Sequence, residues 1–339
     1  MSQTTTAQSP DHLMEMANAY WTSRVLLSAV EVGAFTALAN GPLSCNELRE
    51  RTGLHERGSR DFFDALVALG LLDRHDGAYR NTAETALYLD SSKASYVGGM
   101  LEFHNTSMYR AWASLTESLR TGRSHAGHDN EEDVFEEAYA DPGVLTALLS
   151  AMSVFSAAPA VALANAFPWA RHGRFCDLGT AQGMVPVQLA LRHPHLRGVG
   201  FDLPQVRPIF EEFVAANELG SRVSFCSGDF FADPLPPAEV YVMGHVLHDW
   251  SIDAKHALLQ RVYDALPDGG AVIVYEMLID DERRVNVDGL LMSLNMLVLS
   301  PGGFDYTGAD CRGWMSDTGF RDTYVQHLAG PESMIVGFK

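Results

Sequence analysis

Apolar residues at Leu26, Leu27, Val30, Phe35 and Leu38 recur at helical spacing and run into a Gly41-Pro42 break. This predicts an amphipathic helix along that stretch. Ser44 followed three residues on by Glu47 is a capping-box signature, so a second helix is expected over 47–51. Gly53 turns the chain, and a third helix is predicted over 59–69, stopped by Gly70. Leu71-Leu72-Asp73, the turn His75-Asp76-Gly77 and Tyr79-Arg80 then read as a short hairpin. Together these elements form a winged helix-turn-helix pattern. Further along, Met100, Phe103, Met108, Tyr109, Trp112 and Leu115 form an apolar stripe at helical spacing, and residues 122–133 read as a polar loop.

From Arg174 the rhythm changes to strand, glycine-rich turn and helix, repeated. Strands are predicted at 174–178, 198–202, 222–227, 239–244 and 271–277. Helices are expected at 184–192, 205–218, 253–265, 287–299 and 307–318. Two more strand-like runs, 321–327 and 333–338, close the chain as a hairpin that puts one antiparallel strand in the sheet. The fold class expected is α/β: a doubly wound, mostly parallel, seven-stranded Rossmann-like sheet behind an N-terminal helical, winged-helix-like domain. The division is placed at 1–100 and 101–339, with a nucleotide-binding core from about residue 172.

Charge narrows the partners. The 339 residues carry a net charge of −19, which argues against a broad basic surface for nucleic acid or anionic membrane. Residues 1–90 hold seven arginines and no lysine against twelve carboxylates, so the winged-helix pattern reads as a dimerisation scaffold and not a DNA reader. Residues 143–170 lack any charge, but Pro159, Asn165 and Pro168 interrupt them, and buried helices are expected there instead of a membrane span. The polar start shows no signal-peptide pattern and reads as a frayed tail. Cys45, Cys176, Cys226 and Cys311 form no Cys-x-x-Cys pair, so a reduced, cytoplasmic protein is expected.

In such sheets, ligands bind at the carboxyl ends of the strands. Asp177-Leu178-Gly179-Thr180-Ala181-Gln182-Gly183 follows the first strand and opens a helix. Asp202 ends the next strand, where a carboxylate can accept hydrogen bonds from ribose hydroxyls. Gly228-Asp229-Phe230 follows the third, offering a carboxylate and a ring to an adenine. Neither a Gly-x-Gly-x-x-Gly fingerprint nor a P-loop is present, so a nucleoside without a diphosphate fits best.

With Leu247-His248-Asp249-Trp250 and Pro301-Gly302-Gly303 added, the chain resembles the small-molecule O-methyltransferases. These include plant caffeic acid O-methyltransferases and bacterial antibiotic-tailoring relatives. The resemblance runs over nearly the whole chain. It implies an S-adenosylmethionine site at Asp177, Gly179, Gly183, Asp202, Leu203, Gly228, Asp229, Phe230 and Met243. It also implies a homodimer built through the N-terminal helices. His248 becomes the general base, oriented by Glu276 and by Asp305, which stands where relatives carry Glu. Tyr306 replaces the following Arg, and Thr180 and Ala181 replace two glycines. Substrate-side candidates are Asn295, Met296, His104, Asn105 and Trp250.

The reaction implied is methyl transfer to the hydroxyl of a small aromatic, phenolic metabolite. Methylation of a ring carbon or a keto acid is the alternative on the same scaffold, and a winged-helix ligand-sensing regulator is the alternative of another class. His245 and His248 could ligate a metal if their segment were helical, but no further His lies nearby in sequence and no metal is expected.

Overall fold

The computed structural model describes residues 9–93, 95–124 and 139–339; the tail before residue 9 and most of the loop expected at 122–133 lie outside them. Two compact units divide the chain, Met1–Arg110 and Ala111–Lys339. The division falls after Arg110 and not after 100, because the helical turns Gly98–Phe103 and His104–Met108 pack on the first helix, Asp11–Glu31.

In the first unit, the helix expected through Leu38 is two. Gly33 adopts the left-handed conformation at φ +67° and breaks Asp11–Glu31 from Ala34–Ala37. Ser44 and Glu47 form the expected capping box at the head of Cys45–Thr52, with the Ser44 amide donating to Glu47 Oε2 at 2.8 Å. The next helix begins at Glu56, earlier than predicted, since His55 Nδ1 accepts the Arg57 N–H and caps it. Strands β1 (Leu43–Ser44), β2 (Leu72–His75) and β3 (Ala78–Asn81) pair in the order β1-β3-β2. Phe35, Leu48, Phe63, Leu66 and Tyr79 are buried between these elements. On the first helix, Leu13, Met14, Met16, Tyr20 and Trp21 are each more than half exposed.

The second unit is built on β4 (Arg174–Leu178), β5 (Arg197–Asp202), β6 (Val223–Ser227), β7 (Val240–Gly244), β8 (Ala271–Glu276), β9 (Arg321–Ala329) and β10 (Glu332–Phe338). Among the described residues these form one sheet in the order β6-β5-β4-β7-β8-β10-β9, in which β10 alone runs against the direction of the other strands. Residues of β7 alternate between two cores: Val240 and Val242 face one, Tyr241 and Met243 the other. Every residue of β8 is buried, as expected of a strand covered by helices on both faces, and its last residue is Glu276. The helix Pro142–Ala166 is long and apolar enough to cross a membrane, yet Ala160, Leu163 and Ala164 are buried against the sheet. Chain order reverses on either side of β4, so the carboxyl ends of β4, β5, β7 and β8 open on one edge.

Candidate active site

One half of that edge is a glycine turn anchored to two buried carboxylates. Gly179 sits at φ +69°, and a Cβ there would lie 2.7 Å from Val246, so only glycine leaves this approach open. Thr180 Oγ1 donates to Asp177 Oδ2 at 2.8 Å. Asp202 accepts the Ala181 N–H at Oδ2 and the Leu203 N–H at Oδ1, both at 2.8 Å. Gly183, at φ +96°, starts the helix Met184–Arg192. Burial pushes the Asp177 carboxyl up to about 7 and the Asp202 carboxyl up to about 6. Among the described residues neither carboxylate has an ion-pair partner, so a ligand bringing hydroxyl or ammonium donors would relieve both. Beside them, Asp229 Oδ1 accepts the Phe231 N–H at 2.8 Å, and Gly228 packs under the Phe201 ring, where a Cβ would approach to 2.5 Å. Phe230 stands edge-on to Phe231 and to Trp250.

Ala181 occupies φ +49°, a left-handed conformation that costs an L-residue about 1 kcal/mol. Ala181→Gly should therefore raise the melting temperature by about 1–2 °C for a chain of this size. A lower melting temperature in a thermal scan would show that the turn carries no such strain.

The other half is the turn Leu247–Asp249 that follows β7. His248 is buried, and its Nδ1 lies 3.2 Å from Asp305 Oδ1, with Nε2 3.6 Å from Asp249 Oδ1. Glu276 does not orient the ring as expected; it instead accepts the main-chain N–H of His248 at 3.1 Å. The cause is its place at the end of β8, beside the backbone of the β7 turn, with Tyr306 lying against it. One ligand atom each of His248, Glu276 and Asp305 lies within 4.8 Å of the others, a spacing that a divalent ion would accept. Burial draws the His248 imidazole down, but Asp249, Glu276 and Asp305 outweigh it and lift the ring to about 10.

His245 does not team with His248 on a helix face. It takes φ +53°, and its Nε2 lies 3.1 Å from Glu332 Oε1, with both side chains almost wholly buried.

The substrate-side candidates separate. Asn295 Oδ1 accepts the Trp112 indole N–H at 2.8 Å, and Met296 is buried on the same helix, Val287–Leu299. Ser293 of that helix accepts the Asp305 N–H at 3.3 Å, which brings the helix to the loop that carries Asp305. Trp250 packs against Phe230 and Phe231, so its ring belongs with the aromatic cluster beside Asp229. Met243 is enclosed in the core by the alternation of β7, leaving its side chain no access to a ligand. His104 and Asn105 lie in the first unit, where Asn105 donates to Glu31 Oε2 at 2.6 Å and accepts from Arg24. Sequence reasoning missed Tyr139, whose hydroxyl is pushed up by burial and by Asp202 and Asp249, and the buried Lys255. A phenol or a lysine inside a helix carries no sequence signal that separates it from a solvated one.

Comparison with known proteins identifies the family. Residues 112–321 match the O-methyltransferase domain family, and residues 14–91 match the O-methyltransferase dimerisation domain. The tetracenomycin polyketide synthesis 8-O-methyl transferase of Streptomyces glaucescens is 43% identical over 100% of this chain and 99% of its own. The 3-hydroxy-5-methyl-1-naphthoate 3-O-methyltransferase of Streptomyces sahachiroi is 34% identical over 97% and 95% of the two chains. The crystal structure of human N-acetylserotonin methyltransferase with S-adenosylmethionine superposes with a TM-score of 0.89 at 29% identity, covering 100% and 99%. The chain belongs to the O-methyltransferase family and carries that family's dimerisation domain at its N-terminus.

Proposed function

We propose that this enzyme transfers a methyl group from S-adenosylmethionine to the hydroxyl of a small aromatic metabolite, with His248 as general base. Asp177, Gly179, Gly183, Asp202, Leu203, Gly228, Asp229 and Phe230 would hold the cofactor. The fit rests on the cradle itself: two buried carboxylates with no ion-pair partner among the described residues, and glycines packed so closely that a Cβ would strike Val246 or the Phe201 ring. When bound, S-adenosylmethionine supplies a methyl on a positively charged sulfur, an electrophile whose charge also opposes the imidazolium form of His248.

The observation that carries the reading is the Asp305-His248 contact at 3.2 Å inside a buried carboxylate cluster. Asp305 claims Nδ1 and so leaves Nε2 as the nitrogen that meets the acceptor hydroxyl. A phenol has a pKa of about 10, so handing its proton to an ordinary imidazole would be uphill by about 4–5 kcal/mol. His248 lifted to about 10 closes that gap for the transfer itself, but the ring must first lose its own proton, so the gain is realised only as pH approaches 10. Incubation with S-adenosylmethionine and a panel of phenolic acids, read by mass spectrometry, tests the function. No S-adenosylhomocysteine with any acceptor would end it. A methylated ring carbon in place of an aryl ether would favour the carbon-methylating alternative.

A ring lifted above its ordinary value is protonated in the free enzyme at neutral pH, and its base form grows as pH rises. kcat/KM should therefore climb with pH toward about 10. Asp305→Asn removes one of the carboxylates that raise the ring, so its pH profile should shift to lower pH. A limb that does not move would count against the Asp305 pairing.

The homodimer belongs to the same proposal, supported by the exposed Leu13, Met14, Met16, Tyr20 and Trp21 on the first helix. Light scattering that gives a monomer mass would contradict it.

A further inference from the structure

Three successive carbonyls of the catalytic turn are each taken by a donor. The Phe304 N–H donates to His248 O at 2.8 Å, and Ser300 Oγ donates to Asp249 O at 2.8 Å. Lys255 Nζ donates to Trp250 O. The first two donors sit on residues 300–306, the loop that carries Asp305; the third rises from the helix Ile252–Ala265. Lys255 is 0% exposed. Its ammonium lies 3.7 Å from the ring centroid of Phe304 and 5.6 Å from that of Tyr306, the residues on either side of Asp305. Burying an ammonium is costly and rare. Here a carbonyl, two ring faces and the nearby Asp249 carboxylate, whose charged form it favours, offset the cost.

We infer that Lys255 is a positioning residue for the methyl transfer. Its ammonium, held between the Trp250 carbonyl and the Phe304 and Tyr306 rings, pins the His248 turn to the Asp305 loop. The inference rests on the reading of His248 as base. It has a geometric motive: Asp305 reaches Nδ1 at 3.2 Å, beyond the roughly 2.7–2.9 Å of a strong charge-assisted hydrogen bond. A small slackening of the loop would therefore break the contact. Lys255 touches neither His248 nor Asp305 in the contacts above, and acts on them through their loops.

Lys255→Met keeps the stem and removes the charge, and Lys255→Gln keeps a donor for the Trp250 carbonyl but no cation over the rings. Lys255→Met should lower kcat about 10²-fold with the acceptor KM and calorimetric S-adenosylmethionine affinity unchanged. In nuclear magnetic resonance, the low-field Nδ1–H signal of His248 shared with Asp305 should vanish. Lys255→Gln should fall between the two. Wild-type kcat with an intact signal in Lys255→Met would overturn the inference, as would a matched loss of cofactor affinity and melting temperature, which marks a merely structural lysine. Should the wild type make no S-adenosylhomocysteine, the base reading fails, and persistence or loss of the Nδ1–H signal in Lys255→Met still decides whether Lys255 sets the contact.

Discussion

His248→Gln is expected to lower kcat by about 10²–10⁴-fold with no loss of S-adenosylmethionine affinity. Glutamine fills much of the same space and can still donate to Asp305, so the carboxylate cluster keeps a partner. What it lacks is a nitrogen that accepts a proton. The proposed cofactor cradle lies on β4, β5 and the turn after β6, while His248 stands on the turn after β7. Removing the base should therefore leave that half of the edge intact. Steady-state kinetics and calorimetry on one preparation separate the two. The deficit should also shrink with more acidic phenols, which need less help to ionise. A kcat within tenfold of wild type, with no dependence on acceptor acidity, would remove His248 from the chemistry.

Asp202→Ala is expected to act in the opposite place, weakening S-adenosylmethionine about 10²-fold or more with kcat at saturation much closer to wild type. Asp202 holds the Ala181 and Leu203 amides at 2.8 Å each, and so fixes both walls of the pocket in advance of the ligand. Each buried N–H left without an acceptor costs about 1–3 kcal/mol, and the ribose loses its own acceptor besides. Ligand that binds only the folded state raises its melting temperature, so the rise given by excess cofactor should disappear in the variant. A preserved rise, with affinity unchanged by calorimetry, would show that the ribose is held elsewhere.

The cofactor half of the site is legible in the sequence because strand ends are legible. Apolar runs bounded by glycine turns are enough to place Asp177, Asp202 and Asp229 at one sheet edge. His248 is legible for the same reason, at the end of β7. Met243 misleads, because a residue at a strand end still points to whichever face the alternation dictates, and here that face is core. The partners of Asn105 are not legible in this way, because Glu31 and Arg24 lie far away in the chain.

By itself, then, the sequence determined the layered sheet, the edge at which ligands gather and the kinds of groups waiting there. Periodicity and turn residues are local properties, and they suffice for that. Only the tertiary structure decided which group meets which. Glu276 holds a main-chain amide and not a ring, His245 turns to Glu332, and Lys255 is buried between two loops instead of lying in water. Those pairings join β7 to β8, β10 and the 300–306 loop. Distances of 3 to 4 Å between such segments depend on how the helices pack over the sheet, which no local pattern specifies.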